Sequence, residues 1–356
     1  MFTGYGLTAA RTHGRPGRET RPRTTTIDIH SHVSVPAAAA VVEPYLDIAT
    51  IPLAFFSTPE TKAVNAQQDT DRRSRMSGLG GGLTERLRDL DDIGIDVQVI
   101  MPPPAQCYYT VPIDISIKAT RVVNDGLAEY VARTPERFVA LGSVPMTDGR
   151  AAATELERGM RQLGLKGAQV LTNVAGRELS DPAFAPFWAK AEELGALIVI
   201  HPNGFTEGQR LTRFYFNNVV GNPFETTLAL HYLIFDGVLE RHPNLRILAV
   251  HGGGYLGAYS GRIDHAWGAR SDCRGGLPRP PTNYLKKIYV DSVVFTPLQL
   301  AGLIETFGAD HVLIGTDYPF VMAEADPLAH LASVPGLPDA AIAAIAGGNA
   351  QRLLGI

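Results

Sequence analysis

Eight short runs rich in Val, Ile and Leu recur along the chain, and most are followed by a segment of helical periodicity. The runs span residues 24–30, 96–101, 138–144, 167–171, 196–201, 246–251, 288–292 and 312–316. Their apolar residues are continuous rather than alternating, the pattern of parallel strands covered on both faces. Helical patterns occupy 83–93, 117–134, 150–163, 182–194, 225–241, 255–265 and 297–307, and a last one, 338–354, begins at a proline. Strand and helix alternating eight times predict an α/β chain folded as a (β/α)8 TIM barrel, with a C-terminal closing helix. One barrel domain over residues 26–356 is expected, because no internal repeat or second domain stands out.

Two stretches interrupt the alternation. Residues 34–82 hold Pro36, Pro44, Pro52 and Pro59 and then a glycine cluster, so a long insertion follows the first strand. Residues 203–223 carry Arg210, Arg213, Phe214, Tyr215 and Phe216. Long insertions after barrel strands form lids and binding walls at the catalytic face. Residues 1–25 contain Arg11, Arg15, Arg18, Arg21 and Arg23 against Glu19 alone, among Gly, Pro and Thr. No apolar segment follows these charges, so they are read as a flexible basic tail and not a secretory signal.

A net charge of −4 gives no reason to expect nucleic acid or an anionic membrane as partner. No apolar stretch approaches the roughly 20 residues that span a bilayer. Cys107 and Cys273 match no zinc-site spacing, and two reduced thiols fit a cytoplasmic protein.

The ends of the predicted strands carry the chemistry. The first ends in His30-Ser31-His32, the fifth in His201, the sixth in His251, and the eighth is followed by Asp317. Strand residues two apart share a side, so His30 and His32 can address one ion together. By the same spacing Asp28 is placed on the face of His30, as a polar support rather than a ligand. Barrel active sites lie where strands end, so these groups converge there. Neutral imidazoles with a carboxylate suit Zn²⁺ and accommodate Mn²⁺ or another divalent ion. Gly252-Gly253-Gly254 after His251 permits close approach of a ligand. The fourth strand, 167–171, ends without lysine or glutamate to bridge two ions, so one ion per subunit is expected.

Ile27-Asp28-Ile29-His30-Ser31-His32, His201-Pro202, the His251-Gly-Gly-Gly stretch and Gly315-Thr316-Asp317-Tyr318-Pro319-Phe320 resemble the amidohydrolase superfamily. Within it they are most similar to the branch of 2-amino-3-carboxymuconate 6-semialdehyde decarboxylase, over residues 24–356. The resemblance implies that His30, His32, His201 and Asp317 bind the metal, typically zinc, and that His251 is the catalytic base. Asp317 is a second candidate proton donor to carbon. The resemblance also implies a homodimer in which Arg270 reaches the neighbouring site to hold a substrate carboxylate. A second arginine comes from the long first insertion, for which Arg72, Arg73 and Arg75 are candidates. Asn218 stands where that branch carries an aromatic residue against the substrate, and Phe320 is expected beside it.

These readings predict a metal-dependent non-oxidative decarboxylase whose small-molecule substrate is an unsaturated or aromatic carboxylic acid. The alternative is a hydrolase or hydratase of the same superfamily acting on a lactone, amide or unsaturated acid. Attack by hydroxide and direct protonation of carbon both remain open as routes.

Overall fold

The computed structural model describes residues 8–10, 15–77 and 82–356. Among the described residues, eight parallel barrel strands follow one another in chain order: β1 (Ile27–His32), β2 (Val97–Met101), β3 (Phe138–Ala140), β4 (Gly167–Leu171), β5 (Leu197–His201), β6 (Arg246–Ala249), β7 (Ile288–Asp291) and β8 (Val312–Leu313). β3 resumes after Leu141 as Gly142–Ser143, which pairs with β4. The cylinder closes where Ser31 bridges Tyr318, Ile29 N–H donates to the Ile314 carbonyl and Asp317 N–H donates to the His30 carbonyl.

The apolar runs divide into two layers, as pleating requires. Leu197 and Val199 of β5 pack inside with Val99, Leu248 and Val250, whereas Ile198 and Ile200 face the surrounding helices. His201 continues the inward parity of Leu197 and Val199. The helix pattern at the C-terminus is continuous in extent but has a π-helical segment, Ala344–Gly348, between Asp339–Ala343 and Asn349–Leu354. Gly347 sits there because a Cβ would lie 1.8 Å from the Thr25 carbonyl oxygen.

β1 departs from the simple two-residue spacing. Asp28 pairs with Gln98 and Ser31 with Ile100, so two residues, Ile29 and His30, stand opposite Val99 alone. This bulge reverses the parity of the strand. Asp28 and Gln98 lie behind the barrel wall, and His30 and His32 turn inward. Asp28 is therefore on the opposite face from His30, a correction to the spacing argument.

The insertion after β1 is built of helices, among them Pro36–Val42, Pro52–Phe55 and Pro59–Ser77. Pro36, Pro52 and Pro59 open these helices, where a missing N–H costs nothing. The basic segment packs on the barrel over residues 15–25 rather than extending from it. Gly17 N–H donates to Asp326 at 2.9 Å, and Arg21 pairs with Asp96. Arg11 lies outside the described residues. Among those described, no helix is long and apolar enough to cross a membrane.

Candidate metal centre

Inward parity brings His30, His32 and His201 together, with each pair of ring centroids 5.1 Å apart. His251 follows β6, its ring 5.3 Å from His30 and 5.2 Å from His201. Asp317, in the segment after β8, completes the group. One ligand atom each from His30, His201, His251 and Asp317 lie within 4.8 Å of one another. His32 adjoins them through Nε2, 3.2 Å from His30 Nε2 and 3.1 Å from Asp317 Oδ1.

The other ring nitrogens decide what these groups can bind. His30 Nδ1 donates to Asp291 Oδ2 at 2.7 Å, His32 Nδ1 to the Pro102 carbonyl at 3.1 Å, and His201 Nδ1 to the Pro202 carbonyl at 2.7 Å. A carboxylate or carbonyl oxygen only accepts, so in each neutral ring the proton sits on Nδ1 and Nε2 presents a lone pair. Three lone pairs thus converge beside a carboxylate oxygen, and His201 Nε2 is buried with no hydrogen-bond partner. Such an arrangement repels itself unless a cation lies among the donors. The donor set fits a divalent metal, and the site is metal-binding.

The electrostatics agree. Burial, then the rings of His32, His30 and His251, hold His201 well below the usual imidazole range. Burial also lowers His32. Burial alone would raise Asp317, but the surrounding imidazoles, His30 foremost, keep it well below the carboxylate range. For His30, burial is outweighed by Asp317 and Asp291, which favour positive charge at that ring. A proton and a cation would compete for its Nε2.

Asp317 divides its oxygens. Oδ1 faces Nε2 of His30 and His32 at 3.3 and 3.1 Å, and Oδ2 faces Nε2 of His251 at 3.5 Å. His251 and Asp317 both adopt positive φ, 54° and 64°, although neither is glycine. Backbone strain of this kind, about 1–3 kcal/mol each, persists at sites where side chains must be aimed.

A cavity of about 970 Å³ opens over His201, His251 and Asp317. Leu53, Asn65 and Asp69 of the insertion line it, as do Asn203, Tyr215 and Asn218 of the segment after β5. Asn218 and Phe320 are in its wall, and the Phe320 ring lies 4.9 Å from that of His32. Arg75 and Arg270 are elsewhere. Arg75 donates to Asp89 at 2.7 Å, and the exposed Arg270 pairs with Asp272. The side chain of Arg72 lies outside the described residues. Among those described, no lysine or arginine lines the cavity.

Asp291 escaped the sequence reading. It ends β7 as His201 ends β5, and its Oδ1 also accepts from Gly252 and Val293 N–H. The same signal, an apolar run ending in a ligand-type residue, was present in Ile288–Asp291.

An amidohydrolase family model matches residues 27–356. The 2-amino-3-carboxymuconate-6-semialdehyde decarboxylase of Dictyostelium discoideum is 35% identical over 272 residues, 76% of each chain. A gamma-resorcylate decarboxylase of Rhizobium radiobacter is 30% identical over 267 residues, 66% of this chain and 76% of the other. The crystal structure of 5-carboxyvanillate decarboxylase from Sphingomonas paucimobilis superposes with a TM-score of 0.80 at 25% identity, covering 93% of this chain and 99% of that one.

Proposed function

This chain belongs to the amidohydrolase family, and on that premise we propose that it is a metal-dependent non-oxidative carboxy-lyase acting on an aromatic or unsaturated carboxylic acid. The observation that carries the reading is the convergence of three Nε2 lone pairs and Asp317 beneath a cavity large enough for an aromatic acid. Decarboxylases among its relatives support the reaction type.

His30, His32, His201 and Asp317 are the proposed ligands of one ion per chain. Their nitrogen and oxygen donors favour zinc, with manganese as the second candidate. A divalent ion held there by these four side chains would supply Lewis acidity toward a substrate oxygen. Replacing the substrate carboxylate by hydrogen consumes one proton and releases CO2. His251, beside Asp317 Oδ2 and in the cavity wall, holds and delivers this proton. Asp317 orients the ring and offsets its charge. Asn218 and Phe320 contact the substrate.

We extend the proposal to assembly. The cavity has no described cation of its own, and Arg270 is exposed. Both fit a homodimer in which each Arg270 reaches the other site, with Arg75 of the insertion as a candidate for the second substrate-binding arginine. Two free thiols fit the cytoplasm. Product analysis over a panel of hydroxylated aromatic and unsaturated acids tests the function. Products lacking one CO2 are expected, and products that have instead gained water would overturn the reading.

A further inference from the structure

Behind the barrel wall lies a buried polar network centred on Arg86, a residue that does not line the cavity. Arg86 belongs to the helix Gly82–Ile93, where Arg88, Asp91 and Asp92 are exposed, yet it is fully buried. One guanidinium nitrogen donates to Gln98 Oε1 at 3.0 Å and another to the His32 carbonyl. Gln98 Nε2 in turn donates to Asp28 Oδ2 at 2.8 Å. Asp28 Oδ1 accepts from the backbone N–H of His30 at 3.1 Å and of Thr316 at 3.0 Å, and Oδ2 accepts from the Thr316 hydroxyl at 2.6 Å. The guanidinium carbon lies 4.7 Å from the centre of the Tyr318 ring, next in sequence to Asp317.

We infer that Arg86 is a positioning residue for the metal centre, locking the bulged end of β1 and the segment after β8 so that His30, His32 and Asp317 converge. The inference rests on the proposed ligand set. A bulge interrupts the ladder to β2 at Ile29 and His30, so on that side their backbone needs a restraint other than strand pairing. Arg86 supplies it from the outer face. It touches the main chain of His32 directly, that of His30 through Gln98 and Asp28, and Asp317 through the neighbouring ring. A planar fork is needed because two acceptors on different elements must be met at once. Lysine presents a single ammonium that cannot hold this geometry. Partners behind metal ligands govern affinity because they orient donors they do not replace.

The test compares the full-length wild type with Arg86→Lys. It uses Zn²⁺ affinity by chelator competition, the visible spectrum of the Co²⁺-loaded protein, and kcat and KM for an acid found active with the wild type. The variant is expected to melt cooperatively but bind Zn²⁺ about 10- to 100-fold more weakly. Its Co²⁺ spectrum should change, and kcat should fall while KM stays within about twofold, since Arg86 touches no cavity atom. If Arg86→Lys does not fold, Gln98→Met cuts the same line further from the ligands and is expected to show the same split. A folded variant with wild-type affinity and spectrum overturns the inference while leaving the ligand set standing. A wild type that binds neither ion overturns the ligand set and the inference together.

Discussion

His201 and His251 look alike in the sequence, each at the end of an apolar run, but their surroundings differ. His201 is pinned by the Pro202 carbonyl, held neutral by burial and left with a bare Nε2. His251 faces the outer oxygen of Asp317 from the cavity wall. His201→Ala is therefore expected to lose both bound metal and turnover. His251→Ala should keep the metal and lose about 10²- to 10⁴-fold in kcat, as metal analysis beside kinetics will show. A second residue makes a pH prediction. Burial, followed by the nearby acids Glu178 and Glu207, raises Glu225 to about 7, although it accepts from Thr206 N–H. Between its ordinary value of 4.5 and about 7, the folded state binds the extra proton, so stability falls as pH rises through that window. The loss is up to about 3 kcal/mol. Glu225→Gln should flatten this slope in urea melts between pH 4.5 and 8; an unchanged slope would refute the assignment.

At the scale of elements, β4 and the helix Pro297–Phe307 have the bounds expected from sequence, because burial on both faces gives β4 a continuous apolar run and Leu300, Leu303 and Phe307 give the helix one buried stripe. The bulge in β1 was not legible. Its cause lies in pairing with β2, some 70 positions away, so local spacing placed Asp28 on the wrong face. The insertion does line the cavity as expected, but its helices were not legible, for another reason. The helix Pro59–Ser77 is mostly polar and offers no apolar stripe by which to recognise it. One tie between the insertion and the segment after β5 is Asn217, whose amide donates to the Pro52 carbonyl and whose oxygen accepts from Phe205 N–H, both at 2.8 Å, beside Leu53 N–H donating to the Asn203 carbonyl. Asn217→Ala should free the Pro52–Phe55 helix from the segment after β5. Faster amide exchange there is expected, with a several-fold rise in KM and little change in kcat; unaltered exchange would show that other contacts suffice.

For the molecule as a whole, five site groups converge because the cylinder closes, and closure depends on the segment after β8 meeting β1. Strand ends could be read as ligands from sequence because any closed barrel gathers them at one rim. The arginines were less legible, since neither Arg75 nor Arg270 reaches the cavity of its own chain. Assembly is where their role is tested. Sedimentation should find a dimer, and Arg270→Ala should raise KM about tenfold or more with metal content intact; a monomer would end the intersubunit reading. The central claim is tested most directly by measuring CO2 release after the metal has been stripped and returned in steps. Activity is expected to vanish with the chelator and to recover linearly up to one divalent ion per chain. CO2 release that survives chelation, or that keeps rising until a second ion is added, would contradict it.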